Sequence, residues 1–109
     1  MVEIIWTEPA LSDFAGIVEY IACDKPDAAA RLVQRVFAHV EKLADHPELG
    51  PAVPELRSRS RYRQIVEPPC RVLYRYDRGR QKLFILGVMR GEKLFERRLL
   101  LDWDKFTTR

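Results

Sequence analysis

The spacing of apolar and polar residues changes period along the chain, and each change marks an element. Val2-Glu3-Ile4-Ile5-Trp6 is short and rich in β-branched and aromatic residues, which predicts a strand. Thr7 offers an N-cap hydroxyl, with Glu8 and Pro9 suited to a first helical turn. Leu11, Phe14, Ile17, Val18 and Ile21 then recur at helical spacing, so a helix is expected over about residues 8–22. Asp24 is the expected cap of a second helix, with Pro26 near its start. Ala29, Leu32, Val33, Val36, Phe37, Val40, Leu43 and Ala44 form its apolar stripe, and Pro47 is expected to end it. Only a few residues separate the two helices, which predicts an antiparallel hairpin.

After the Gly50-Pro51 loop the period falls to two. Tyr62-Arg63-Gln64-Ile65-Val66 predicts a strand, and Pro68-Pro69 forces a turn. Cys70 to Tyr76 predicts the next strand, with Cys70, Val72, Tyr74 and Tyr76 on one face and Arg71, Leu73 and Arg75 on the other. Asp77-Arg78-Gly79-Arg80 reads as a hairpin loop in which Gly79 supplies the turn. Lys82 to Met89 is apolar enough for a central strand. Past Gly91, residues from Glu92 to about Phe106 read as a terminal amphipathic helix carrying Leu94, Phe95, Leu99, Leu101, Trp103 and Phe106. The expected class is α+β: a helical hairpin packed on a small, mainly antiparallel sheet, in the order β-α-α-β-β-β with a C-terminal helical segment.

Length and composition narrow this further. With 109 residues the chain is expected to form one domain, spanning residues 1–109. Hydrophobic residues make up 47% and charged residues 32%, which excludes a disordered or fibrous chain. There is no apolar run of membrane-spanning length and no secretory pattern at the N-terminus, so the expected location is the cytoplasm, without membrane association. Cys23 and Cys70 lack metal or catalytic spacing and read as reduced thiols. No P-loop, dinucleotide fingerprint or zinc spacing is present, so neither metal nor cofactor is expected.

The net charge of +3 conceals an asymmetry. Residues 1–56 hold 4 basic and 10 acidic side chains, and residues 57–109 hold 15 basic and 6 acidic ones, twelve of the basic residues being Arg. A half with net +9 points to an anionic partner. Arg57, Arg59, Arg61 and Arg63 alternate with Leu56, Ser58, Ser60 and Tyr62, and on a strand they would share one face. Two readings stand: an anion-binding stripe, or a charged strand edge that discourages aggregation. The apolar segment Leu99-Leu100-Leu101-Asp102-Trp103 either docks on the chain's own sheet or seats a partner.

Several local patterns, in order, resemble the RelE/ParE superfamily of bacterial toxins from type II toxin–antitoxin systems. The first helix carries Ala10, Asp13 and Tyr20-Ile21. The second opens Pro26-Asp27-Ala28-Ala29 and exits through Leu43-Ala44-Asp45-His46-Pro47-Glu48-Leu49-Gly50. Cys70-Arg71-Val72-Leu73-Tyr74-Arg75 is similar to the family's "YRVLYRV" strand, and Ile85-Leu86-Gly87-Val88-Met89-Arg90 to its "ILxVxH" strand. The resemblance covers nearly the whole chain and lies closer to ParE, whose helix pair is long. It implies a growth-inhibiting toxin, as in plasmid stabilisation, that is neutralised by a cognate antitoxin and forms oligomers only with it.

The family offers two mechanisms. ParE-like members bind DNA gyrase and block it; RelE-like members cleave mRNA on the ribosome. Cleavage needs a base for the 2′-OH, cations for the phosphorane and an acid for the leaving oxygen. By resemblance, Arg71 and Arg90 are the phosphate-stabilising cations of the nuclease reading. Arg90 stands where the family often has histidine, and an arginine does not shuttle protons near neutral pH. Phe95 is the nearest aromatic to the missing C-terminal tyrosine, and His39 and His46 fall on or after the second helix. Glu67, Glu92 and Lys93 are the remaining proton-transfer candidates, Glu92 also reading as a first-turn residue of the last helix. The incomplete set favours gyrase inhibition. In that reading Arg57, Arg59, Arg61, Arg63, Arg71, Arg90, Lys93, Leu99 and Trp103 are the expected antitoxin or target contacts.

Overall fold

The computed structural model describes residues 1–56 and 61–91. Its elements are β1 (Glu3–Trp6), α1 (Glu8–Ala22), α2 (Pro26–Lys42), β2 (Tyr62–Glu67), β3 (Cys70–Asp77) and β4 (Lys82–Arg90), with a 3-10 turn at Pro54–Leu56. The order β-α-α-β-β-β is the expected one. The predicted terminal helix from Glu92 onward lies outside the described residues. Among the described residues no helix is long and apolar enough to cross a membrane.

The four strands form one mixed sheet in the order β1-β4-β3-β2. The hairpins β2–β3 and β3–β4 are antiparallel, while β1 pairs in parallel with β4. Thr7, between β1 and α1, ties this junction to β4 and caps α1. Its N–H donates to the Ile85 carbonyl at 3.1 Å and its hydroxyl donates to the same carbonyl at 2.8 Å. The hydroxyl oxygen also accepts from the Ala10 N–H, capping α1.

The helix pair covers one face of the sheet. Ala10 and Phe14 of α1 and Leu32, Val36 and Val40 of α2 pack with Ile65, Cys70, Val72, Tyr74, Leu83, Ile85 and Val88. A smaller core lies on the opposite face, where Val53 and Leu56 cover Tyr62, Leu73, Phe84, Leu86 and Met89. The alternation predicted for β3 holds, and both of its faces are buried. In β4 the register slips by one residue opposite Leu73/Tyr74, so that Leu83, Ile85 and Val88 share a face despite their unequal spacing.

Three local expectations are corrected. Asp24 does not cap α2: the N-cap is Lys25, which makes no side-chain bond to the helix. Asp24 and Lys25 instead donate their N–H groups to the Ile21 carbonyl and belong to the exit of α1. Next, α2 ends at Lys42 rather than near Pro47. Its last turn tightens through Leu43 N–H to Val40 and Ala44 N–H to Glu41, and the Ala44 carbonyl accepts from the Val2 N–H instead of continuing the helix. Finally, Gly79 has no positive φ; the left-handed residue of the β3–β4 loop is Gln81, at φ 55°. Its side chain holds the turn by donating to the Arg78 carbonyl and the Tyr76 hydroxyl.

Candidate functional site

Arg71 is the second residue of β3, on the sheet face away from the helices. Its side chain is only 8% exposed. A buried guanidinium needs acceptors for its donors. Gln64, from the adjacent strand, supplies one: its Oε1 accepts from Nε at 3.0 Å and from Nη2 at 2.8 Å. The amide oxygen, with its two lone pairs, orients the guanidinium through both contacts. The β2–β3 register places Gln64 opposite Leu73 and Val66 opposite Arg71, so Gln64 reaches Arg71 along the same face.

Arg61 lies at the mouth of β2. Its guanidinium sits 5.1 Å from the Tyr62 ring centroid, and Nη2 donates to the Tyr62 hydroxyl at 3.3 Å. Arg63 behaves differently. Its Nη1 donates to the carbonyls of Glu48 and Gly50, at 3.3 and 2.8 Å, and pins the loop after α2 against β2. Arg61 and Arg63 therefore do not form one stripe. Arg61 precedes the strand and leans on a ring of the helix-free face, whereas Arg63 turns to the loop. Arg57 and Arg59, and likewise Lys93, Leu99 and Trp103, lie outside the described residues.

Arg90, the last residue of β4, takes the other side of the sheet. It pairs in register with Cys70, and its guanidinium lies 5.3 Å from the ring centroid of Tyr20 on α1. Arg71 pairs with Met89, one position away. Adjacent positions on a strand point to opposite faces. The structure thus does not bring Arg71 and Arg90 together on one ligand.

A cluster that the sequence did not reveal sits at the Arg90 end of the molecule. Glu67, which closes β2, receives Arg35 Nε on one oxygen at 3.3 Å and meets His39 Nδ1 with the other at 2.9 Å. Arg35 also donates to the Pro68 carbonyl at 2.9 Å. The cluster fastens α2 to the β2–β3 turn. The partners are 32 and 28 residues apart in sequence, and no local pattern links them. Nearby, burial pushes the Cys70 thiol up from its ordinary value of 9.0, against the pull of Arg35 and Arg90. On the exposed β3–β4 loop, the hydrogen bond from Arg80 holds the Asp77 carboxyl below its ordinary range.

A groove of about 520 Å³ runs between α2 and β2, with His39, Lys42, Leu49, Ile65 and Val66 in its walls. Its floor owes its shape to Gly50. A methyl group there would stand 2.2 Å from the Gln64 carbonyl oxygen, and the Gly50 N–H donates to the Tyr74 hydroxyl at 2.9 Å.

This fold, a helical hairpin on a β1-β4-β3-β2 sheet, has known relatives. A family model described as the ParE toxin of the type II toxin–antitoxin system parDE matches residues 4–95. The chain belongs to the ParE toxin family. This ParE-family chain is 32% identical over 74 residues to a protein named Toxin RelE2 from Caulobacter vibrioides, an alignment covering 68% of this chain and 80% of the relative. Its fold is shared with a solved structure described as the chromosomal ParDE TA system from P. aeruginosa (TM-score 0.66, 23% identity, covering 84% of this chain and 98% of the other). The RelBE2 toxin–antitoxin complex from Mycobacterium tuberculosis shares it too (TM-score 0.56, 21% identity, covering 82% and 96%). The ParE and RelE branches thus share one scaffold, and mechanism has to be argued from side chains.

Proposed function

We propose that this chain is the toxin of a type II toxin–antitoxin pair, that a cognate antitoxin neutralises it, and that it acts by binding and blocking DNA gyrase. The observation that carries this reading is the divergence of Arg71 and Arg90. Cleavage of a phosphodiester needs its cations and its proton carrier gathered on one phosphate. Here the two arginines occupy opposite sheet faces, and His39 is tied to Glu67 on the helix side. An inhibitory docking surface has no such requirement. It needs fixed, directional contacts, and a guanidinium held by two hydrogen bonds from a neighbouring strand is one.

In this reading Arg71 and Arg61 are target contacts, with Arg90 and Tyr20 on the opposite face at the Arg71 end of the sheet. An antitoxin with acidic segments matches the basic half by charge. The experiment is induction of the toxin in cells with parallel readout of plasmid topology and transcript integrity. Loss of negative supercoiling with intact transcripts is expected. Cleaved mRNA with unchanged topology would overturn the gyrase reading in favour of ribosome-dependent cleavage.

A further inference from the structure

The two edges of the sheet are treated differently. At β2 the edge is closed: the Val53 N–H donates to the Tyr62 carbonyl, the Gln64 N–H donates to the Pro51 carbonyl, and Gly50 packs on the Gln64 carbonyl. Pro68 and Pro69 follow at its end. At β1 the edge is open beyond Val2, whose outward N–H is taken by the Ala44 carbonyl. The Glu3 N–H donates to Gln81 and the Thr7 N–H to Ile85, so odd-numbered residues face β4. Ile4 and Trp6 therefore turn their N–H and C=O groups outward, and no described residue outside β1 takes them. This edge's only protection is its shortness, four residues, and the charge of Glu3. It holds no lysine, no proline and no bulge. Exposed apolar side chains flank it: Phe37, 40% exposed with its ring 5.1 Å from that of Trp6, and Met1 at the strand's start.

We infer that β1 is a self-pairing edge, and that a second copy of this chain adds to it antiparallel about a two-fold axis at Ile5. That register sets Ile4 opposite the partner's Trp6, and the reverse, which gives four backbone hydrogen bonds from the outward groups of both copies. Ile5 meets the partner's Ile5, and Glu3 meets the partner's Thr7. The only charge on β1 thus never faces itself, and like charges directly opposite are what would oppose pairing. An acidic peptide fits this edge less well, because β1 carries no cation, and Arg61, Arg63, Arg71 and Arg75 belong to β2, β3 and the residue before β2. The contact is small, so the dimer is weak, half-formed at concentrations on the order of 100 μM.

The inference is independent of the toxin's target, and cross-linking tests it. In a Cys23→Ser background, Ile5→Cys puts a thiol on the two-fold axis. The facing Cα atoms there are about 4.5 Å apart in a non-hydrogen-bonded pair, within disulfide reach. Glu3→Cys lies well away from the axis. Oxidation is expected to give a covalent dimer with Ile5→Cys and monomer with Glu3→Cys. In the unmodified full chain, amide exchange at Ile4 and Trp6 is expected to slow several-fold as concentration rises through the dimer range. Three results would each overturn self-pairing: equal cross-linking by both variants, concentration-independent exchange at Ile4 and Trp6, or protection of those amides only when the antitoxin is added.

Discussion

The carboxylate of Asp13, on α1, accepts a hydrogen bond from the Val88 N–H at 3.1 Å, across 75 residues of sequence. Strand β1 ends at Trp6, opposite Ile85, so among the described residues the far part of β4 has no strand neighbour on that side. The register slip beside Gly87 then turns the Val88 N–H toward α1. Asp13 completes the sheet where the strand runs out. Asp13→Ala leaves that donor without its acceptor and is expected to cost about 1–2 kcal/mol. Asp13→Asn, which keeps an acceptor oxygen, should cost less than half as much. Urea unfolding of the two variants checks the ranking.

The groove floor is more demanding. At Gly50 an added methyl meets backbone, the Gln64 carbonyl oxygen at 2.2 Å, which cannot swing away as a side chain can. Gly50→Ala is expected to destabilise by at least about 2 kcal/mol. Tyr74→Phe removes only the bond to the Gly50 N–H, and about 1 kcal/mol is expected. Equal stability of Gly50→Ala and wild type in thermal melts would contradict this packing.

Burial raises two acids above their ordinary values, the Cys70 thiol from 9.0 and the Tyr74 phenol from 10.0. A raised folded-state value means that the folded chain holds its proton where the unfolded chain has lost it. The associated stability is fully present below about pH 9 and is lost as pH climbs through the folded values. The melting temperature is therefore expected to fall above pH 9. Cys70→Ala and Tyr74→Phe should each flatten that fall. A fall of the same steepness in both variants would assign it elsewhere.

Much of this was legible in the chain itself. Thr7 with Glu8 and Pro9 announced the start of α1, and the period-two run from Cys70 to Tyr76 correctly divided β3 between two faces. What escaped the sequence was non-local. Asp24 has the chemistry of a cap, but the geometry of a three-residue connection assigns it to the helix before. Gly79 has the freedom to take a left-handed turn, yet Gln81 takes it, because the Gln81 side chain bonds the loop in that conformation. The parallel pairing of β1 with β4, the Glu67 cluster with Arg35 and His39, and the Gln64 clamp on Arg71 join residues that no local period connects. The opposite orientations of Arg71 and Arg90 were implicit in strand alternation. They became visible only once the register paired Arg71 with Met89 and Cys70 with Arg90.

The Gln64 clamp makes a prediction about Arg71. Lysine keeps the charge but cannot offer two donors in a fixed fork. Arg71→Lys is therefore expected to weaken target inhibition by about tenfold, roughly 1.4 kcal/mol. Gln64→Leu, which keeps the arginine and removes its guide, should weaken it by a smaller factor. Titration of inhibition against toxin concentration separates the two, and full activity of Arg71→Lys would show that charge alone suffices.

The most direct test of the account is an assay of purified toxin with DNA gyrase and relaxed plasmid, run beside ribosomes translating a defined mRNA. The expected result is dose-dependent loss of supercoiling that the Arg71→Ala variant fails to produce, with the mRNA left intact. Unimpaired supercoiling together with mRNA cleaved at the ribosome would contradict it.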